Sequence, residues 1–358
     1  MTKRRLLISA VVVAILGVLI YLQVRTWKRF NWEAFATWTE NVNWWVILPA
    51  IGAIYLADAL RALRWAIFLR PIQKVQARRL IASQFIGFAG LALLGRPGEF
   101  IRPYIIARKT RLTFSSQVAV WTVERIFDTS AVALLLATQI IFSSSMHDME
   151  DYSAIRKGGI LLILLVLVGI AIAFFIRRNS KTFAAWVGRR FRPHVPNLSR
   201  KLEHKILAFG EGLNTIHDLP SFLGISLISL SIWMLVVGAY FLVTHAYGAS
   251  ELQDLSFSHA TLLMAVSVAG GVLQLPLIGG GSQLATISVL LHVFEISPDT
   301  PELATSCGIL LWLVTFMSVA PVGLALARHE HLSLRKLSKE PEELQQKMGS
   351  EAIEPVVE

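Results

Sequence analysis

The string Gly95-Arg96-Pro97-Gly98-Glu99-Phe100-Ile101-Arg102-Pro103 sets two arginines and a glutamate at three-residue spacing around a glycine and proline break. Pro97 has no amide hydrogen and suits the first turn of a new helix, so the amides of Gly98 and Glu99 are expected to point free toward an anion, with a positive helix end behind them. Arg96, Glu99 and Arg102 on one face would form an alternating ladder of charge. Two readings are open: a turn that binds the phosphate of a lipid headgroup, or a ladder that neutralises itself and fixes a hairpin at the membrane interface.

A second cluster, Glu124, Arg125 and Asp128, lies inside an otherwise apolar run. Charges at that depth cost a few kcal/mol each and face a partner or a wet cavity. Glu124 and Asp128 share one helix face, with Arg125 about 100° round from Glu124. The cluster suits either an ion pair with the Arg96 to Arg102 string or a role in moving substrate or protons. Asp58, Arg61 and Arg64 repeat at three-residue spacing in another apolar run. Arg61 and Arg64 are expected to snorkel to the interface, and Asp58 to pair with Arg61. Further on, Gly279, Gly280 and Gly281 let backbone approach backbone or ligand without a Cβ in the way, and Ser282 and Gln283 open the next helix. A tight hairpin tip needs the same glycines.

These residues need a membrane to act in. Apolar residues are 54% of the 358 and charged residues 16%, whereas a soluble domain carries about a quarter charged residues. The net charge of +10 sits in the gaps between apolar runs and not along one groove, which argues against nucleic acid. The single cysteine, Cys307, rules out an intramolecular disulfide framework. The histidines have no metal-ligand spacing, and no nucleotide, hydrolase or dinucleotide motif is present, so neither a metal nor a cofactor is expected.

The elements that must position the charges are helices. Apolar spans are predicted at 6–24, 44–69, 117–142, 160–176, 222–244 and 304–326, each matching a hydrocarbon core of about 30 Å. Two further apolar stretches, 80–111 and 261–294, are broken by glycine and proline and are predicted to enter the membrane and turn back. Loop charges agree. With the N-terminus inside, the basic linkers around Arg70 to Arg79, Arg108 to Arg111 and 177–220 are all cytoplasmic, and the acidic loops at 148–151, 245–260 and 295–303 are outside. The exception is 25–43, which is outside despite Arg25, Lys28 and Arg29; its tryptophans read as an interfacial belt. The order span, hairpin, span then occurs twice in opposite orientations, an inverted repeat whose broken helices meet near the midplane. Residues 199–217 suggest an amphipathic surface helix. The polytopic domain runs over 1–337, and 338–358 reads as an acidic, disordered cytoplasmic tail.

The run from Gly95 to Arg111, followed by Val123-Glu124-Arg125-Ile126-Phe127-Asp128, resembles the lysylphosphatidylglycerol synthase transmembrane region family, also called flippase-like domain proteins. That family pairs a G-R-x-G-E-x-x-R turn with a downstream V-E-R-x-x-D, and a glycine-rich hairpin near its C-terminus matches Pro276 to Gln283. Gln283 stands where the commoner form carries an acid. The resemblance implies movement of phospholipid or polyprenyl-linked headgroups between leaflets. The soluble domain that performs aminoacyl transfer in full-length synthases has no counterpart in this sequence.

The expectation is therefore an all-α integral membrane protein, multi-pass in the cell membrane with both termini cytoplasmic, acting as a lipid flippase or scramblase on an anionic lipid. Its substrate-binding residues would be Arg96, Pro97, Gly98, Glu99, Arg102, Glu124, Arg125, Asp128, Gly279, Gly280, Gly281 and Gln283. Membrane lipids are the expected partners, with a partner synthase or a second copy of the chain as further candidates. The alternative is a membrane-embedded enzyme or accessory subunit acting on lipid-linked phosphates or sugars, with Glu99, Glu124 or Asp128 as general base.

Overall fold

The computed structural model describes residues 31–142 and 219–330, apart from 249, 272–273, 276–278 and 297–300, together with scattered positions between 156 and 190. The predicted span 6–24, the surface helix at 199–217, most of 160–176 and the tail 338–358 lie outside the described residues.

Helices account for nearly all of it. The short α1 (Trp32–Glu40) leads into α2 (Trp44–Leu69), whose bounds are those predicted. Asn43 caps α2 by accepting the amide of Trp45, a role that suits its short side-chain carbonyl. The first hairpin follows as α3 (Ala77–Leu94), a 3₁₀ turn over Arg96–Phe100 and α4 (Ile101–Thr110). After it come α5 (Phe114–Phe142) and α6 (Leu219–His245). The second hairpin consists of α7 (Phe257–Gly270) and α8 (Gly281–His292). The last described elements are α9 (Glu302–Trp312), a π-helical segment (Leu313–Met317) and α10 (Val319–His329), continuous as one apolar rod. The predicted span 304–326 falls inside that rod. Tyr55 on α2 donates to the Ser318 carbonyl at 2.7 Å, where the π segment closes.

Among the described residues five helices are long and apolar enough to cross a membrane: α2, α3, α5, α6 and the α9–α10 rod. The chain is a multi-pass membrane protein. Length alone would let α3 cross, yet the chain reverses at its end. Gly95 takes φ 70° and ψ −149°, and α4 returns antiparallel along α3, with Gly98 against Gly90 and Arg102 against Gly87. A Cβ on Gly98 would lie 2.2 Å from the Gly90 carbonyl oxygen, so the approach demands glycine. By rise per residue α3 covers about 27 Å, and the 3₁₀ turn and α4 together about 25 Å back.

The second hairpin is shorter. Its arms, 14 and 12 residues, are about 21 and 18 Å long, too little to cross. A two-residue antiparallel pairing, Gln274 with Gly280 and Leu275 with Gly279, closes its tip. The fold is all-helical as expected, and this minimal pairing arises at the tip, where the glycine run cannot hold a helix. Gly280 has φ 75° and ψ −127°, nearly the conformation of Gly95, and each of these glycines precedes the returning arm of its hairpin.

The packing repeats in the same way. α2 lies against α6; α3 lies against α10 as α7 lies against α5. α2 packs on α3 as α6 packs on α7, and α4 on α5 as α8 on α9. Exchanging α2–α5 with α6–α10 therefore maps these contacts onto one another, the pattern expected of two copies of one unit.

Candidate functional site

The charges of the first hairpin and of α5 meet in the interior. Arg64, 1% exposed, is the centre. From α2 its Nη2 donates to Glu124 Oε1 at 2.6 Å, and its Nη1 to Asp128 Oδ1 at 2.7 Å and to Ser229 Oγ of α6 at 2.7 Å. Arg102 of α4 grips Glu124 from the other side, with Nη1 3.2 Å from Oε1 and Nη2 on Oε2. Its Nη1 also donates to Gln84 Oε1 of α3 at 3.0 Å. Asp128 Oδ1 takes a further bond from Trp233 Nε1 at 3.1 Å. Five helices are thus tied through two carboxylates and two guanidinium groups.

Aromatic side chains pack against this network. Trp65 faces the Arg102 guanidinium at 4.6 Å from its ring centroid and donates its own N–H to Gln117 Oε1 at 3.0 Å. Phe88 lies 5.5 Å from the same guanidinium. Such contacts suit a cation already committed to a carboxylate.

Arg125 is different. Its side chain is 41% exposed, with Nη2 3.1 Å from Asp128 Oδ2 and 4.0 Å from Glu124 Oε2. It borders a small open-sided pocket of about 20 Å³, lined by Gly87, Phe88 and Leu91 of α3, Glu99 and Arg102 of the returning arm, and Trp121 and Arg125 of α5. The pocket therefore has an apolar wall, one carboxylate and two guanidinium groups.

The predicted residues fall into two groups. Glu99, Arg102, Glu124, Arg125 and Asp128 come together. Gly98 supports them as packing, and its amide is not free for an anion as expected, because it donates to the Gly95 carbonyl at 2.9 Å to close the 3₁₀ turn. Pro97 is exposed at the tip, and Arg96 opens the turn, its side chain outside the described positions. Arg102 does not stand in a surface ladder either; it points inward to Glu124 and Gln84. Gly279, Gly280, Gly281 and Gln283 form the second group, and their described contacts stay in the second half of the chain: Leu275, Gln274, Gly270 and Gly308 respectively.

Arg64 was expected at the interface and is instead fully buried. It is the residue the sequence reading missed, together with Gln84, Ser229 and Trp233. One signal pointed to it: Glu124 and Asp128 share a face and need more positive charge than Arg102 alone supplies. Asp58 and Arg61 do pair, at 2.7 Å. Among the described residues no three His, Cys, Asp or Glu side chains come close enough to hold a metal ion.

Comparison with known proteins gives this geometry a family. The chain is 24% identical over 293 residues to the glycosyltransferase AglD of Haloferax volcanii, covering 74% of this chain and 46% of that protein, so it spans about half of that relative's length. It is 22% identical over 291 residues to a UPF0104 membrane protein of Methanothermobacter thermautotrophicus, covering 78% of this chain and 83% of that one. No solved structure matches. Residues 6–328, nearly the whole polytopic region and both charged motifs, match the family described as the lysylphosphatidylglycerol synthase TM region, and the chain belongs to that family.

Proposed function

We propose that the chain moves an anionic lipid, a phospholipid or a polyprenyl-phosphate-linked lipid, between the leaflets of the cell membrane, with the headgroup received in the pocket between the first hairpin and α5. The observation that carries this reading is Arg125, a half-exposed guanidinium in a cleft inside a membrane helix bundle, backed by a buried ion network that holds it in place. Its Nη2 faces Asp128, and the exposed remainder of the guanidinium is open to an anionic ligand from the pocket side. Trp121 and Phe88 offer an apolar wall for the glycerol or isoprenyl end. In this reading both hairpins enter the membrane from opposite sides, and the glycine tip around Gly279 to Gln283 forms the far end of the path.

The alternative, an enzyme acting on lipid-linked sugars, takes its interest from the glycosyltransferase relative, but two of its three candidate bases are already committed. Glu124 accepts from Arg64 and Arg102, and Asp128 from Arg64 and Trp233. A carboxylate so held is a poor proton acceptor.

Purified chain reconstituted in liposomes with fluorescent phosphatidylglycerol and phosphatidylcholine tests the proposal. Faster leaflet exchange of the anionic probe than in protein-free vesicles is the expected result. No acceleration, with turnover of a lipid-linked sugar, would favour the enzyme.

A further inference from the structure

One buried charged pair takes no part in holding Arg125. Asp58 Oδ1 accepts from Arg61 Nη1 at 2.7 Å, whereas Asp58 Oδ2 is buried without a hydrogen-bond partner. The pair lies deep in α2, with Asp58 fourteen residues after Trp44 and eleven before Leu69. The Arg61 guanidinium lies 4.9 Å from the Phe88 ring and 5.9 Å from that of Trp233. Phe88 lines the headgroup pocket and also carries Arg102 against its ring, so Arg61 lies against a residue of the pocket wall without itself lining it. The charged and titratable groups that act on Asp58 are Arg61 and Tyr55 of α2, Arg102 of α4 and Glu124 of α5.

We propose that Asp58 is a proton-binding site coupled to the anionic headgroup: a proton from solvent bound at Oδ2 releases Arg61 from its carboxylate, and the released guanidinium pairs with the anion in the pocket. Charge conservation drives the coupling. Ionised Asp58 and Arg61 neutralise each other. Protonation alone would leave Arg61 without its hydrogen-bonded carboxylate, with only the more distant Asp128 of α5 acting on it, and an arriving phosphate alone would add an uncompensated anion; both are costly in a low dielectric. Together they leave the local charge unchanged. The coupling is reciprocal, so each ligand tightens binding of the other. One proton then accompanies each headgroup, which supplies a route by which a proton gradient could drive lipid movement in a chain with no ATPase motif.

The inference rests on the headgroup pocket proposed above, not on translocation itself, and is tested by binding. The full chain in detergent, weakly buffered with a pH-sensitive dye, is titrated with dihexanoyl phosphatidylglycerol. The expected result is uptake of close to one proton per lipid bound, and an affinity that rises by up to about tenfold per unit fall in pH across the titration of Asp58. In Asp58→Asn both effects are lost. Because that variant leaves Arg61 buried and unpaired, the double variant Asp58→Asn/Arg61→Met serves as the folded control and should also take up no proton. Binding by the unaltered chain without proton uptake overturns the proposal and leaves the pocket standing. Uptake that persists in either variant overturns it as well, by placing the proton elsewhere. Failure to bind overturns the proposal and the pocket together.

Discussion

At the residue scale, two arginines of the same network should respond to substitution in opposite ways. Arg64 is enclosed, and Arg64→Met removes from Glu124 and Asp128 the one guanidinium that bridges them both at hydrogen-bond distance. A loss of about 3–5 kcal/mol of stability is expected, the usual result of removing one partner from a buried pair. Thermal unfolding in detergent, followed by tryptophan fluorescence, would measure it. Arg125 is partly solvated, and Arg125→Ala should change stability by no more than about 1 kcal/mol while weakening binding of an anionic headgroup. The sequence disclosed Glu124, Arg125 and Asp128 because charge within an apolar run is conspicuous. It did not disclose Arg64, which lies five residues from the end of α2 and within snorkelling reach. Only the three-dimensional position of α5 and α6 decides that its side chain turns inward. Ser229, Trp233 and Gln84 were invisible for a simpler reason, since single polar residues of these types are ordinary in membrane helices.

At the element scale, the site depends on how closely α4 returns along α3. Gly98 and Gly90 set that distance, and a Cβ at Gly98 would meet the carbonyl oxygen and carbon of Gly90 and the amide of Leu91 within 2.7 Å. Backbone cannot yield as a flexible side chain can, so Gly98→Ala is expected to cost about 1–3 kcal/mol and to pull Arg102 off Glu124. Unfolding midpoint and headgroup binding should therefore fall together in this variant, unlike Arg125→Ala. A fall in neither would show that the hairpin tolerates separation. The break itself was legible, because glycine and proline at 95 to 98 cannot continue a helix. What the turn does with its amides was not. A free anion-binding amide and one spent on closing a 3₁₀ turn are the same letter in the sequence, and the close approach to Gly90 selects the tighter turn. Boundaries followed the same logic: α2 ends where its apolar run ends, but α5 begins at Phe114, three residues before the predicted span, because a polar first turn of Ser115, Ser116 and Gln117 adds helix without adding hydrophobicity.

At the scale of the whole molecule, the repeated packing and the matching glycines at 95 and 280 indicate two related halves that have diverged in chemistry. Carboxylates and guanidinium groups occupy the first. At the corresponding contact in the second, Ile287 of α8 packs on Gly308 of α9. The proposal that the two hairpins enter the membrane from opposite sides predicts a clear labelling pattern. Cys307 is the one cysteine of the sequence and is buried, so in a Cys307→Ala background single cysteines are placed at exposed hairpin feet. Arg79→Cys and Arg108→Cys should react with an impermeant thiol reagent from one side of the membrane, and Gln253→Cys and His292→Cys from the other. Labelling of positions 79 and 108 from opposite sides would make α3 a full crossing without return. The helical, multi-pass character of the chain followed from hydropathy. The contact symmetry did not, because two halves with different side chains share backbone geometry and hardly any sequence pattern.

The central claim is that Arg125 receives an anionic headgroup on its way across the bilayer. Leaflet exchange in proteoliposomes, measured for phosphatidylglycerol and phosphatidylcholine probes with the unaltered chain, Arg125→Lys and Arg125→Ala, tests it most directly. The predicted result is preference for the anionic probe in the unaltered chain, a loss of at least about tenfold in its exchange in Arg125→Ala, the scale of one charged contact, and partial retention in Arg125→Lys. Equal exchange of both probes, or exchange of phosphatidylglycerol unchanged in Arg125→Ala, would contradict it.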